Sequence, residues 1–562
     1  MKQLLSPSDS SKPARSCARA GLLGTVLLAV LILGSAATVV LLRGIDGSRY
    51  DRAVLDHSRS MFEEGQETFR HDTFGDEAFW GDALRLHEAI AGEANGGVGP
   101  GLAPVTALAL GLKVDIEALH PRTVNALRRG DVDLNDPAVT LVLLQEDAVV
   151  GVKGFFTGNE LTSVGITCAF CHSTVDDSFA PGVGRRLDGW ANRDLDVGAI
   201  VALAPDLSAF TTLLGVDEAT VQTVLHSWGP GKFDAELILD GKAFRPDGGP
   251  AATLLPPAFG LAGVNLHTWT GWGSVTHWNA FVANLEMHGQ GTFYDPRLND
   301  PVRFPIAARE GFYDVRSEND RISPKLAALH FYQLALPAPK PPPDLFDPAL
   351  AAAGEALFNG QAQCATCHVP PLYTEPGWNM HTPEEIGIDA FQAERSPDGR
   401  YRTAPLKGLW THTKGGFYHD GRFETLEDVI AHYDDTFGLG LSAPDVEALT
   451  HFLLSLGDVE VADGGRPGPR PGPAVGHRVR LEQYPNPFNP STEIRFELPE
   501  AADVRLTVYD LTGREVGRIY DQRLEAGAHE ATFDAANLPS GVYVYRFTAG
   551  DWTESGKMVL LK

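Results

Sequence analysis

The rhythm of apolar positions changes several times along the chain, and each change marks a boundary. Residues 21–42 form an unbroken apolar run of about membrane-spanning length. Residues 58–69 and 82–91 place apolar side chains at helical spacing. Gly and Pro recur often enough afterwards to predict short helices joined by long loops. Pro337-Ala-Pro-Lys-Pro-Pro-Pro343 predicts a stiff extended linker. Beyond it residues 350–357 read as a helix, and Ser442 caps a closing helix over 443–456. Between them Thr425-Leu-Glu-Asp428 reads as a helix start, with a hydroxyl to cap it and acids in its first turn. A second linker, Gly464-Gly-Arg-Pro-Gly-Pro-Arg-Pro-Gly472, ends the helical rhythm. Past it, residues 493–498, 504–509, 516–520, 529–533, 542–547 and 557–561 alternate with period two and read as short strands. Their even spacing predicts a small all-β, Ig-like sandwich.

The chain is therefore expected to be multidomain and mainly helical, with a β domain at its end. The boundaries are residues 1–43, a signal peptide or N-terminal membrane anchor; 50–336, a first helical region; 337–346, a Pro-rich linker; 347–457, a second helical region; 458–481, a Gly/Pro linker; and 482–562, the sandwich. Lys2, Lys12, Arg15 and Arg19 precede the apolar run, which keeps the N-terminus in the cytoplasm and exports the rest. Cleavage near Gly34-Ser-Ala-Ala37 suits a signal peptide. Continuation of the run through Leu42 suits an uncleaved anchor, which would leave a periplasmic membrane-anchored form.

The length of 562 residues agrees with about two to four domains. A formal net charge of −27 argues against nucleic acid and against docking on anionic lipid, and leaves room for a basic redox partner. Cysteine usage narrows the chemistry. Of five cysteines, Cys17 precedes the apolar run and four fall in two pentads, Cys168-Ala-Phe-Cys171-His172 and Cys364-Ala-Thr-Cys367-His368.

Covalent haem attachment accounts for every part of such a pentad: two thiols add to the porphyrin vinyl groups, and the adjoining histidine is held against the iron. A zinc site built from the two cysteine pairs would need distant segments to meet, and it leaves both histidines unexplained. A redox dithiol fits less well again, because both motifs end in His. Two haem c groups are expected, one in each helical region, the second in a cytochrome c-type domain. The ligand on the far side of each iron decides what such a protein does. Met61, Met287 and Met380 are the only methionines in the haem-bearing region, and Met380 lies very close to its pentad.

Tyr401-Arg-Thr-Ala-Pro-Leu-Lys-Gly-Leu409, Phe417-Tyr-His-Asp-Gly-Arg-Phe423 and Thr425-Leu-Glu-Asp-Val429 resemble the C-terminal domain of bacterial dihaem cytochrome c peroxidases. That superfamily includes the enzyme that matures tryptophan tryptophylquinone and the rubber oxygenases. The resemblance implies that the helix after His-Asp-Gly supplies the second haem's distal ligand, which falls on Tyr433 with His432 beside it. Peroxidases usually carry Met there, so a lower-potential second haem is implied. His419 is a loop histidine near that haem. Pro256-Pro-Ala-Phe-Gly-Leu-Ala-Gly-Val264 through Trp269 resembles the segment that ends in an inter-haem tryptophan, which makes Trp269 the candidate bridge. An acid/base side chain over the first haem then falls on Glu286 or His288. Core packing is the alternative for Trp269, Trp272 and Trp278. Where peroxidases place a distal histidine, this chain has Arg185 and Arg186, so the first iron is open or is ligated from afar by His226, His267, His277 or His288. The resemblance also admits calcium between the haem domains, although no ligand run stands out.

Tyr484-Pro-Asn-Pro-Phe-Asn-Pro-Ser-Thr492, Val508-Tyr-Asp-Leu-Thr-Gly-Arg-Glu515, Gly541-Val-Tyr-Val-Tyr545 and Lys557-Met-Val-Leu-Leu-Lys562 resemble the C-terminal sorting domain of type IX secretion. This implies contact with secretion machinery and an address at the cell surface or outside the cell. The reading is a dihaem oxidoreductase that takes electrons from a partner protein or small donor and reduces peroxide. An oxidase or oxygenase acting on an external, small organic substrate is one alternative. A non-catalytic electron conduit is the other.

Overall fold

The computed structural model describes residues 49–460, 481–484, 488–498, 501–510, 514–549 and 552–562. Cys17, the apolar run at 21–42 and the linker at 464–472 lie outside the described residues. No helix among the described residues is long and apolar enough to cross a membrane. The chain divides into two units, Met1–Ser60 and Met61–Lys562. In the first, residues 49–60 form the mostly exposed opening turns of the helix Arg49–His71.

In the second unit the continuation of that helix is buried. Phe62 and Phe69 pack on Tyr332 of the helix Leu326–Ala335. Gly65 is the contact point: a Cβ there would come within 2.1 Å of the Ala328 carbonyl oxygen, so only glycine lets the two helices approach this closely.

The first region is less helical than the spacing predicts. Five two-stranded sheets lie among its short helices. The largest is the antiparallel hairpin Val152–Thr157 with Glu160–Ile166, which turns at Gly158. Its β-branched and aromatic residues flank a glycine, the pattern of a hairpin, and they outweigh the scattered apolar spacing. Likewise the helix expected over 82–91 breaks in two. A π-turn at Ala78–Ala83 buries Trp80, whose Nε1 donates to the Met287 carbonyl at 3.0 Å. Arg85 then takes a left-handed backbone before the helix Leu86–Ala91 begins.

The segment at 337–346 is clasped and is no free spacer. Ala338 is fully buried, Pro339–Lys340 pairs in parallel with Val459–Glu460, and Trp410 Nε1 donates to the Pro339 carbonyl at 2.8 Å. Proline lacks an N–H but its carbonyl still accepts, so Trp410 engages what Pro339 can offer.

The second region is built from the helices Pro348–Asn359, Leu426–Phe437 and Ala443–Ser455 around Phe358, Leu449 and Phe452. Thr425 and Asp428 form the reciprocal cap that the sequence predicts, and Ser442 with Asp445 forms a second.

The C-terminal strands form two antiparallel sheets. One has the order Leu481–Tyr484, Ser491–Leu498, Gly527–Asp534, and the other Glu515–Leu524, Ala502–Asp510, Gly541–Ala549, Trp552–Leu560. Ile494, Phe496, Leu506, Val508, Phe547 and Met558 share one core, as alternating strands require.

Candidate functional site

The first pentad follows the hairpin and closes a single helical turn, Ala169–His172. His172 Nδ1 lies 3.1 Å from the Pro256 carbonyl oxygen. A carbonyl can only accept, so Nδ1 carries the proton and Nε2 keeps its lone pair. Burial pushes the His172 pKa down to about 4, which keeps the ring neutral. Burial, reinforced by nearby carboxylates, pushes the Cys168 and Cys171 thiols up to about 12. All three side chains retain some accessible surface.

A cavity of about 560 Å³ lies nearby, walled by apolar groups such as Phe79, Phe210, Leu225 and Trp228. Three polar side chains, Asp234, Glu286 and His288, interrupt its wall. Glu286 is close enough to Cys171 for its charge to raise that thiol. Its Oε1 is buried without a hydrogen-bond partner. Burial, then the charges of Glu236 and Asp234, raise its carboxyl well above the usual range. His288 stacks on Phe79 at 3.6 Å between ring centroids, and burial lowers its pKa to about 4. Its φ of 62° is a strained position for a non-glycine residue. Asp234 is pushed up to about 7 by burial against the opposing pull of Arg395. Arg395, itself fully buried, comes from the second region and holds Asp234 at 2.8 Å and Asp240 at 2.9 and 3.0 Å.

The other histidines considered for the first iron are placed elsewhere. His226 is exposed at the end of the helix Glu218–Trp228. His267 Nε2 meets the Val264 carbonyl at 3.1 Å, and His277 packs on Trp272 and lies 3.8 Å from Asp295. Arg185 and Arg186 pair with Asp176 and Asp115. Trp272 and Trp278 are core aromatics packed on Phe281. Trp269 is outside that cluster. Its Nε1 donates to Leu254 O at 2.8 Å, and its own carbonyl accepts from Arg402 N at 3.2 Å. Leu254 N in turn donates to His419 O at 2.6 Å, so Trp269 stands where the two regions meet.

The second pentad repeats the first one's logic. His368 Nδ1 faces the Tyr373 carbonyl at 3.3 Å, and burial lowers its pKa to about 4. Tyr433 projects from the helix Leu426–Phe437 into the same deep zone. Burial raises its phenol, and the nearby sulfurs Cys367 and Cys364 raise it further. His432 turns away: its Nε2 is committed to Ile386 O at 3.0 Å and its ring packs near Phe423. Met380 rests against the Trp269 loop, where a Cβ on Gly271 would come within 3.3 Å of its sulfur. His419 is buried and stacks on Tyr401 at 5.2 Å.

Both sites fit a covalently held haem. Each has two partly accessible thiols and a partly accessible histidine whose Nδ1 faces a backbone carbonyl. Among the described residues no group of three or more His, Cys, Asp or Glu side chains converges to hold an ion, so the two cysteine pairs do not meet.

Several groups had no sequence signal. Asp234 and Arg395 belong to no motif. His381 lies 2.8 Å from Glu375 and beside Cys367, whose hydrogen bond lifts its pKa to about 9. Arg193 is buried with all three guanidinium nitrogens unpartnered.

Residues 482–561 match the family described as secretion system C-terminal sorting domain. Cytochrome-c peroxidase IdrP2 of Pseudomonas sp. (strain SCT) is 29% identical over 22% of this chain and 44% of that protein. Methylamine utilization protein MauG of Methylorubrum extorquens is 32% identical over 15% of this chain and 24% of that protein. The chain thus spans less than half the length of either relative. A solved structure of Kuenenia stuttgartiensis hydrazine synthase, 17% identical, aligns with 38% of this chain and 76% of its own, at a TM-score of 0.21, too low to speak to the fold. The chain therefore ends in a secretion sorting domain, and part of it is similar to proteins of the dihaem peroxidase superfamily.

Proposed function

We propose that this protein is an exported, peroxidase-like oxidoreductase carrying two haem c groups. One is attached at Cys168, Cys171 and His172, and the other at Cys364, Cys367 and His368. Glu286 is the observation that carries this reading: a buried acid with an unpartnered oxygen, in an apolar cavity close to the first pentad. When bound, the haem iron supplies the electron-accepting and peroxide-binding chemistry. The chain supplies the rest. His172 and His368 would hold the two irons, and Tyr433 would be a further holder of the second, with His432 a packing residue beside it. Trp269 bridges the two regions. Reduction of hydrogen peroxide to two waters consumes two electrons and two protons. The electrons come from a redox protein or small donor. Glu286 holds and delivers a proton, because its raised pKa extends the protonated form to higher pH. His288 orders the same wall, and the apolar lining excludes bulk water. The sorting domain passes the chain to secretion machinery, which places this chemistry on the cell surface or outside it.

Optical and EPR spectra of the purified protein, oxidised and reduced, with and without peroxide, test the reading. A high-spin ferric haem that reacts with peroxide is expected. Two low-spin haems that stay inert after partial reduction would sink the peroxidase mechanism and leave electron transfer. A stable oxygen complex would point instead to oxidation of an external organic substrate.

A further inference from the structure

Arg193 is a buried cation with no anion. Its residue exposure is 7%, and none of its three guanidinium nitrogens has a hydrogen-bond partner. Burial alone lowers its pKa, to about 10. Leaving a charge buried and unpaired costs several kcal/mol, so a position like this needs a counter-charge.

The polypeptide does not provide one. Asp194, next in the chain, is held by Lys113 at 2.6 Å and by Lys414. Asp420 is held by Arg245 at 2.5 Å and Arg422 at 2.9 Å. The other neighbours whose titration Arg193 perturbs are Lys232 and His412, which add positive charge or none. Lys232 Nζ is occupied by the Asp420 carbonyl at 2.9 Å. Among these cations Arg193 is the one left without a hydrogen-bond partner.

The position is also specific. Asn192 N donates to Cys171 O at 2.9 Å, which ties Arg193 to the first pentad. On the other side, a Cβ on Gly415 of the second region would come within 3.5 Å of Nη1. Arg193 thus lies between the two attachment regions. Haem c carries two propionate carboxylates, and a guanidinium fork matches a carboxylate in a two-pronged bond.

We propose that Arg193 clamps a propionate of a bound haem at the junction of the two haem regions. This rests on the haem loading proposed above. The nearer attachment makes the haem on His172 the expected partner, and the haem on His368 is the other arm of the test.

The test uses full-length holoprotein. Covalent haem content of the wild type is measured first; two per chain are expected. A chain without covalent haem would sink the parent reading and the clamp with it, before any variant is made. Next, Arg193→Leu is compared with Arg193→Lys by potentiometric titration at several pH values, each haem being followed by its own spectrum. In Arg193→Leu, with both haems attached, one haem's potential should fall and should come to rise as pH is lowered, because an unpaired propionate takes up a proton on reduction. Arg193→Lys should stay near wild type. Unchanged potentials and pH dependence in haem-loaded Arg193→Leu would overturn the clamp. If Arg193→Leu does not load haem, Arg193→Lys decides by resonance Raman: the propionate bending bands of one haem should shift when the fork becomes an ammonium, and unshifted bands would overturn the proposal.

Discussion

At the scale of single residues, the deciding property is which ring or carboxyl atom remains uncommitted. His172 and His368 each spend Nδ1 on a backbone carbonyl. His432 spends Nε2 on Ile386, and Tyr433 beside it lies near Cys367, Cys364 and Tyr418. Tyr433→Phe should therefore change the low-spin EPR signature of one haem, whereas His432→Phe should leave it in place; the reverse pattern would assign the ligand to His432. Glu286 carries the complementary argument for proton movement. Burial first, then Glu236 and Asp234, raise its pKa. The protonated form then persists to higher pH than in an ordinary carboxyl, and donation fails as pH rises through the raised value. Glu286→Gln should lower peroxide turnover by about 10²- to 10⁴-fold and abolish that alkaline limb, measured as kcat/KM against pH. A variant with the wild-type limb would show that another group moves the proton. The sequence, through the family resemblance, pointed to Glu286 and His288, which line this wall. It was silent on Asp234, Arg193 and Arg395, because an isolated Asp or Arg has no pattern until a fold buries it.

At the scale of elements, caps and close approaches set the position of the site. The helix Leu426–Phe437 carries Tyr433, and its start is fixed by the Thr425–Asp428 box. Thr425→Ala should cost about 1 kcal/mol, read as a lower Tm, with haem content retained. An unchanged Tm would mean that packing of Leu426 and Ile430 alone fixes the helix. Gly354 shows the other constraint. A Cβ there would meet Ala448 O at 2.0 Å, so the helices Pro348–Asn359 and Ala443–Ser455 can pack only through a glycine. The elements of the second region were legible because helix caps and apolar spacing are local signals. Those of the first region were less so. Apart from the hairpin at 152–166, its small sheets are built of two- or three-residue strands, which leave no periodicity to read.

At the scale of the whole molecule, the two haem regions are joined by more than a linker. Arg395 of the second region is fully buried between Asp234 and Asp240 of the first. Removing one partner of a buried ion pair strands the others in low dielectric. Arg395→Met should therefore destabilise the protein by about 3–5 kcal/mol, measured by denaturant unfolding. A loss near zero would show that water reaches the two aspartates. Because Asp234 also walls the first cavity, the same ion pair ties that wall to the second region. The 337–346 segment adds to the joint through its pairing with 459–460.

The sequence by itself determined the chemistry of attachment, since Cys-x-x-Cys-His is a contiguous covalent requirement and every atom of it lies within five residues. It also determined the sandwich and its sorting role, because strand alternation and turn residues are local and the motif strings run unbroken through residues 482–562. The tertiary structure alone decided which polar groups are stranded without partners. Burial and counter-charge are properties of surroundings assembled from distant segments. Only the fold could bring Asp234 and Glu286 to one cavity near Cys171, and only the fold could leave Arg193 without an acid of its own.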